Sequence, residues 1–124
     1  MFYKLFNKNA FKPERAHFDD AGIDFRTPVD ITISPGGFVL VDLQVGVQIP
    51  IGYFGKMESK SGLMTKHGVV CVGGVIDSGF RGSIKIRMEN HGTESYHFNC
   101  GDKIVQMVLI PVLLSDLDEV ESLE

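Results

Sequence analysis

Residues Gly73 to Met88 read GGVIDSGFRGSIKIRM. The second half alternates: Ile84, Ile86 and Met88 are apolar, and Lys85 and Arg87 between them are charged. That is the pattern of a strand with one buried and one wet face. The first half holds two glycines, a short apolar pair and a Ser78-Gly79 turn, so the segment reads as strand, bend and strand rather than helix. The period of two recurs at Val29, Ile31 and Ile33, at Val45, Val47 and Ile49, and at Val105, Met107 and Leu109. Turn formers separate these runs: Ser34-Pro35-Gly36-Gly37, Pro50-Ile51-Gly52, Asn90-His91-Gly92 and Asn99-Cys100-Gly101-Asp102. The expectation is an all-β domain, a compact barrel or sandwich, with one short helical turn over Ser59 to Lys66. The tail from Leu113 to Glu124 (LLSDLDEVESLE) has no strong period and reads as a closing strand or as an arm laid on a neighbouring subunit. With no internal repeat and no linker, residues 1–124 read as a single domain.

Twelve Lys and Arg stand against 16 Asp and Glu, a net charge of −4, so no basic excess is available to neutralise a run of phosphates. Nucleic acid is not an expected partner, although a few placed cations and backbone N–H groups suffice for a small phosphorylated ligand. Lysines interrupt the apolar start MFYKLFNKNAF, and no apolar run reaches 18 residues. No membrane partner and no export are therefore expected. The expected location is the cytoplasm, or a host's cytoplasm if the chain is viral. Cys71 and Cys100 lie at no zinc-ligand spacing and read as reduced, partly buried thiols.

Four Gly-bearing segments carry polar residues that an all-β core does not need: Ala21-Gly22-Ile23-Asp24, Lys60-Ser61-Gly62-Leu63, Gly73 to Gly82, and Gly101-Asp102-Lys103-Ile104-Val105-Gln106. Asp77, between a short apolar strand and a tight turn, stands where a general base could be held rigidly. Gly73 and Gly74 on one side and Gly82 on the other suggest a hairpin whose backbone a ligand can approach closely. Lys60, Ser61 and Gly62 combine a cation, a hydroxyl and a glycine N–H at the opening of a short helix, a setting that favours anions.

In order and spacing, AGIDF at 21–25, KSGLM at 60–64, GVIDSGFRG at 74–82 and GDKIVQ at 101–106 resemble four motifs of the trimeric dUTP diphosphatases, the dUTPases. The resemblance implies a distorted β-barrel related to the jelly roll, a homotrimer with sites at subunit interfaces, Mg²⁺ dependence, and hydrolysis of dUTP to dUMP and pyrophosphate. It assigns Asp77 the activation of the water that attacks the α-phosphorus. Gly74, Val75 and Ile76 would read uracil through the main chain, and Phe80, where the family usually has Tyr, would pack on deoxyribose. Lys60, in place of the usual Arg, would bind phosphate with Ser61 and Gly62, and Lys85 would add a substrate contact. Gln106 would meet the α-phosphate or the water beside it. Asp24 would help through water to hold the magnesium triphosphate, with no ligand bound to the metal directly. The family's Gly-rich fifth motif is not found up to Glu124, so slow turnover with intact uracil preference is expected. The alternatives are a nucleotide-binding regulator on the same scaffold and a dCTP deaminase. The second needs a carboxylate where this chain has Arg87.

Overall fold

The computed structural model describes residues 1–124. Strand β9 (Lys85–Asn90) buries Ile86 and Met88 and turns Lys85, Arg87 and Glu89 toward solvent, as the alternation predicts. It is the centre of a three-stranded sheet, flanked by β4 (Phe38–Asp42) and β7 (Val69–Val72). A four-stranded sheet runs β2 (Gly22–Arg26), β11 (Lys103–Pro111), β6 (Tyr53–Glu58), β8 (Val75–Ile76). Two strand pairs complete the fold: β1 (Phe2–Leu5) with β5 (Val45–Gln48), and β3 (Ile31–Ile33) with β10 (Tyr96–Phe98). Every pairing is antiparallel.

Side chains from all of these sheets meet in one core of 19 apolar residues, in which Phe25, Leu43, Ile84, Met88, Phe98 and Met107 are sealed from water. Each such side chain contributes about 1.5–3 kcal/mol by leaving water. The result is the all-β, jelly-roll-like architecture expected. The one helix, α1 (Ser61–His67), begins two residues later than the sequence suggests and ends at Gly68, whose φ of 68° only glycine adopts at no cost. No helix is long and apolar enough to cross a membrane.

Four local expectations are corrected. Gly73 to Gly82 is not a hydrogen-bonded hairpin, because β8 pairs with β6 while β9 belongs to the other sheet. The segment instead carries the chain from one sheet to the other through a turn closed by Phe80 N–H donating to Asp77 O at 3.1 Å. Val29 lies outside β3 and is exposed, since the Thr27 hydroxyl bonds the Val29 backbone in a local turn ahead of the strand. Cys100 is exposed rather than partly buried. Residues 113–124 form no closing strand and leave Leu113, Leu117 and Leu123 in solvent.

Candidate active site

In β2, Asp24 is 5 % exposed, although every other polar side chain in this sheet is at least partly wet. It is held because two cations reach it. Lys60 Nζ donates to Oδ1 at 2.5 Å, and Lys103 Nζ lies 3.2 Å from Oδ2. Burial alone would raise the Asp24 carboxyl pKa; the hydrogen bonds and charges of Lys60 and Lys103 outweigh it and hold the group below the usual aspartate range. Lys60 closes the extended stretch after β6 and caps α1, while Lys103 opens β11.

Gln106 stands beside Asp24 across the β2–β11 ladder and beside Glu58 across the β11–β6 ladder. Its Nε2 donates to Ser59 O at 3.0 Å, which fixes the amide over the β6–α1 junction. Gly22 makes this placement possible, because a Cβ there would lie 1.8 Å from Gln106 Oε1. Ser61 and Gly62 follow in the exposed first turn of α1, where helix N–H groups have no intrahelical acceptor. An open cleft lies beside Lys60 and Lys103, lined also by Gly62, Leu63, Lys66, His67 and Tyr96. Three of the four sequence motifs therefore converge on one end of the four-stranded sheet.

The remaining motif sits elsewhere. Ile76 faces Gly55 in the β6–β8 register, so Asp77 falls level with Phe54, whereas Asp24 is level with Glu58. That offset of four residues is about 13 Å along the strands, and the three strand spacings from β2 to β8 add about 14 Å across them. Asp77 is exposed at the start of its turn, which is pinned further by Arg81 Nη1 donating to Ser78 O at 2.7 Å. Phe80, 40 % exposed, lies against Gly82, where a Cβ would meet its ring at 2.9 Å.

Gly74, Val75 and Ile76 precede Asp77 on an edge strand. Met57 N–H donates to Gly74 O at 2.9 Å, and Gly74 takes φ 99° where a Cβ would strike Met57 at 2.8 Å. The outer edge of β8 pairs with no strand of this chain, leaving main-chain donors and acceptors in a fixed row. Lys85 joins neither group. It is exposed on β9 opposite Asp42, whose carboxyl is lowered by its hydrogen bond from Ser83, against burial, with help from Gln44 N–H and the Lys85 charge. Arg87 is engaged as well, bonded to Glu89 at 2.6 Å and stacked 3.6 Å over the Phe38 ring.

The cluster also takes in Lys103, Ser59 and Gly22, which are not among the candidate residues given a role above. Lys103 lies inside the fourth motif, and its position three residues before Gln106 was the available signal. No three His, Cys, Asp or Glu side chains gather as a metal cage.

This is a β-clip scaffold whose polar residues divide into a cation cradle and an edge-strand turn. The dUTPase family model matches residues 8–124, and the chain belongs to that family. It is 35 % identical over 122 residues to the deoxyuridine 5'-triphosphate nucleotidohydrolase of Clostridium tetani, covering 97 % of this chain and 84 % of that protein. It is 40 % identical over 115 residues to the nucleotidohydrolase of the same description from Nocardia farcinica, covering 90 % and 70 %. Among solved structures it is similar to the dUTPase of Staphylococcus aureus phage phi11, at TM-score 0.91 and 29 % identity, covering 99 % and 97 %. A point mutant of that phage enzyme, at TM-score 0.89, 29 % identity and coverage of 98 % and 96 %, is described as coordinating a structural Mg(II) ion.

Proposed function

We propose that this chain hydrolyses dUTP to dUMP and pyrophosphate in a homotrimer, each site joining the cradle of one copy to the Asp77 turn of another. The observation that carries this reading is the division of the site. The Lys60–Asp24–Gln106 cluster and Asp77 lie at opposite ends and opposite edges of one sheet, too far apart to act on the same phosphorus within one copy. Threefold closure brings unlike faces together, so it can set one end against the other.

In this reading the main-chain edge of β8 around Gly74, Val75 and Ile76 reads the base. A wrong base would leave fixed donors or acceptors unpaired, which is the source of strong discrimination. Phe80 packs on the sugar and leaves no room for a 2′-hydroxyl. Lys60, the Ser61 hydroxyl and the Gly62 N–H hold the phosphates, and Gln106 orients the α-phosphate or the attacking water. The Asp77 carboxylate accepts a proton from that water as its oxygen bonds to the α-phosphorus. The bond from that phosphorus to the bridging oxygen breaks, and pyrophosphate leaves with the electron pair.

Bound Mg²⁺ would neutralise the triphosphate and align it. Asp24 retains lone pairs beyond those given to its two lysines, so it can accept hydrogen bonds from the waters of an ion that rides on the phosphates. The reading keeps the protein in the cytoplasm of its own cell or of a host, in accord with two free thiols.

The deciding assay is pyrophosphate release from dUTP with Mg²⁺, with dTTP, dCTP and UTP run beside it. Release from dUTP alone is expected. Binding of dUTP without release would make the protein a regulator, and ammonia from dCTP would make it a deaminase.

A further inference from the structure

We propose that Lys103 is a second phosphate-binding cation and that Asp24 is a positioning residue that presents Lys60 and Lys103 together to the β- and γ-phosphates. The inference deepens the reading above and rests on it for the identity of the nucleotide.

The carboxylate divides itself evenly: Lys60 takes Oδ1 and Lys103 takes Oδ2. A lysine binds as a point charge through one of three N–H groups, so each ammonium keeps donors to spare after meeting the aspartate. Burial is unequal in a telling direction. The Asp24 side chain is 6 % exposed, but those of Lys60 and Lys103 are 28 % and 37 % exposed, and both line the open cleft. Lysine heads ordinarily keep contact with water, and here both do so on the same cleft. Here the anion is beneath, the cations face outward, and the cluster carries net +1 before any ligand arrives.

The other charges nearby agree. Arg26, opposite Lys103 in the ladder, is turned away to donate to Gly101 O at 2.7 Å, so it does not compete for Asp24. Lys66 and His67, at the end of α1, add basic groups to the same rim. No carboxylate lines the cleft itself. One shared anion beneath two ammoniums sets both within reach of a single diphosphate, and this offsets the mutual repulsion that would otherwise splay them.

Inorganic pyrophosphate and dUMP, titrated calorimetrically into the full-length protein, test the inference. Lys103→Gln is expected to weaken pyrophosphate binding about tenfold or more, the usual scale of a charge-assisted hydrogen bond, while dUMP affinity stays within about twofold. Lys103→Arg should recover most of the loss. Asp24→Asn discriminates by sign. Removing a negative charge beside two lysines should tighten a polyanion if Coulomb attraction is all that matters, but it should loosen one if Asp24 holds the lysines in place. Loosening is expected.

Failure of the unaltered protein to bind pyrophosphate at millimolar concentration would overturn the inference, as would a Lys103→Gln affinity within twofold of it or tighter binding by Asp24→Asn. If Asp24→Asn does not fold, the Lys103→Gln and Lys103→Arg pair decides alone. Loss of the nucleotide reading shows separately, as absent dUMP binding or absent dUTP turnover with pyrophosphate binding intact.

Discussion

Asp77 has no hydrogen-bonding side chain fixed on its carboxylate, and its turn is held only by main-chain and arginine contacts. The group is therefore free to take a water, and Asp77→Asn should cut the rate of dUTP hydrolysis by roughly 10² or more, with dUTP affinity within a few fold. A stopped-flow comparison of turnover and binding checks both parts. If Phe80 packs on the sugar as proposed, Phe80→Ala opens that space and should raise kcat/KM for UTP relative to dUTP by about tenfold, leaving rejection of dCTP in place.

Asp24 gives a pH signature. Its folded-state pKa lies below the unfolded one, so the ion cluster stabilises the protein fully above about pH 4 and loses that contribution as pH falls through the folded value. Thermal melts of Asp24→Asn should show a flatter acid limb than those of the unaltered protein, with the two curves separating above that pH. Of these residues, Asp77 and Lys60 were legible from chemistry beside glycine. Lys103 was not, because a lysine on a strand is ordinarily a solvated charge, and only the fold shows a carboxylate beneath it.

At the scale of elements, strands with a regular period of two were readable, and β9 and β11 lie where Ile84, Ile86 and Met88 and Val105 and Met107 place them. β8 is only two residues long, too short to show a period, and two glycines of positive φ precede it. Its partner could not be inferred locally, so a turn between sheets read as a hairpin. The β2–β11 ladder illustrates what pairing adds. Gly22 and Gln106 are 84 positions apart, yet the glycine exists to admit the Gln106 amide. Gly22→Ala should displace Gln106, break its bond to Ser59 O, and lower kcat about tenfold or more. Unchanged kcat in a folded Gly22→Ala protein would remove Gln106 from the site.

On one chain the Lys60–Asp24–Gln106 cluster and the Asp77 turn stand at opposite ends of one sheet and cannot meet. The resemblance of the motifs implies a shared site, but motif order along the chain is silent about which ends of a sheet the motifs occupy; the register of β6 with β8 and of β11 with β2 supplies that distance. Exposed Leu113, Leu117 and Leu123 are further surface that a neighbouring copy could cover. The central claim, a site shared between copies, is tested most directly by mixing two crippled proteins. Asp77→Asn lacks the base and Lys60→Ala lacks a cradle cation, and each alone should be nearly inactive. Co-expressed in equal amounts, they should form mixed trimers in which about a quarter of the sites combine an intact Asp77 from one copy with an intact Lys60 from another. Recovery of roughly a quarter of the unaltered rate is the predicted result. A mixture no more active than its better parent, in trimers shown to contain both variants, would contradict the account.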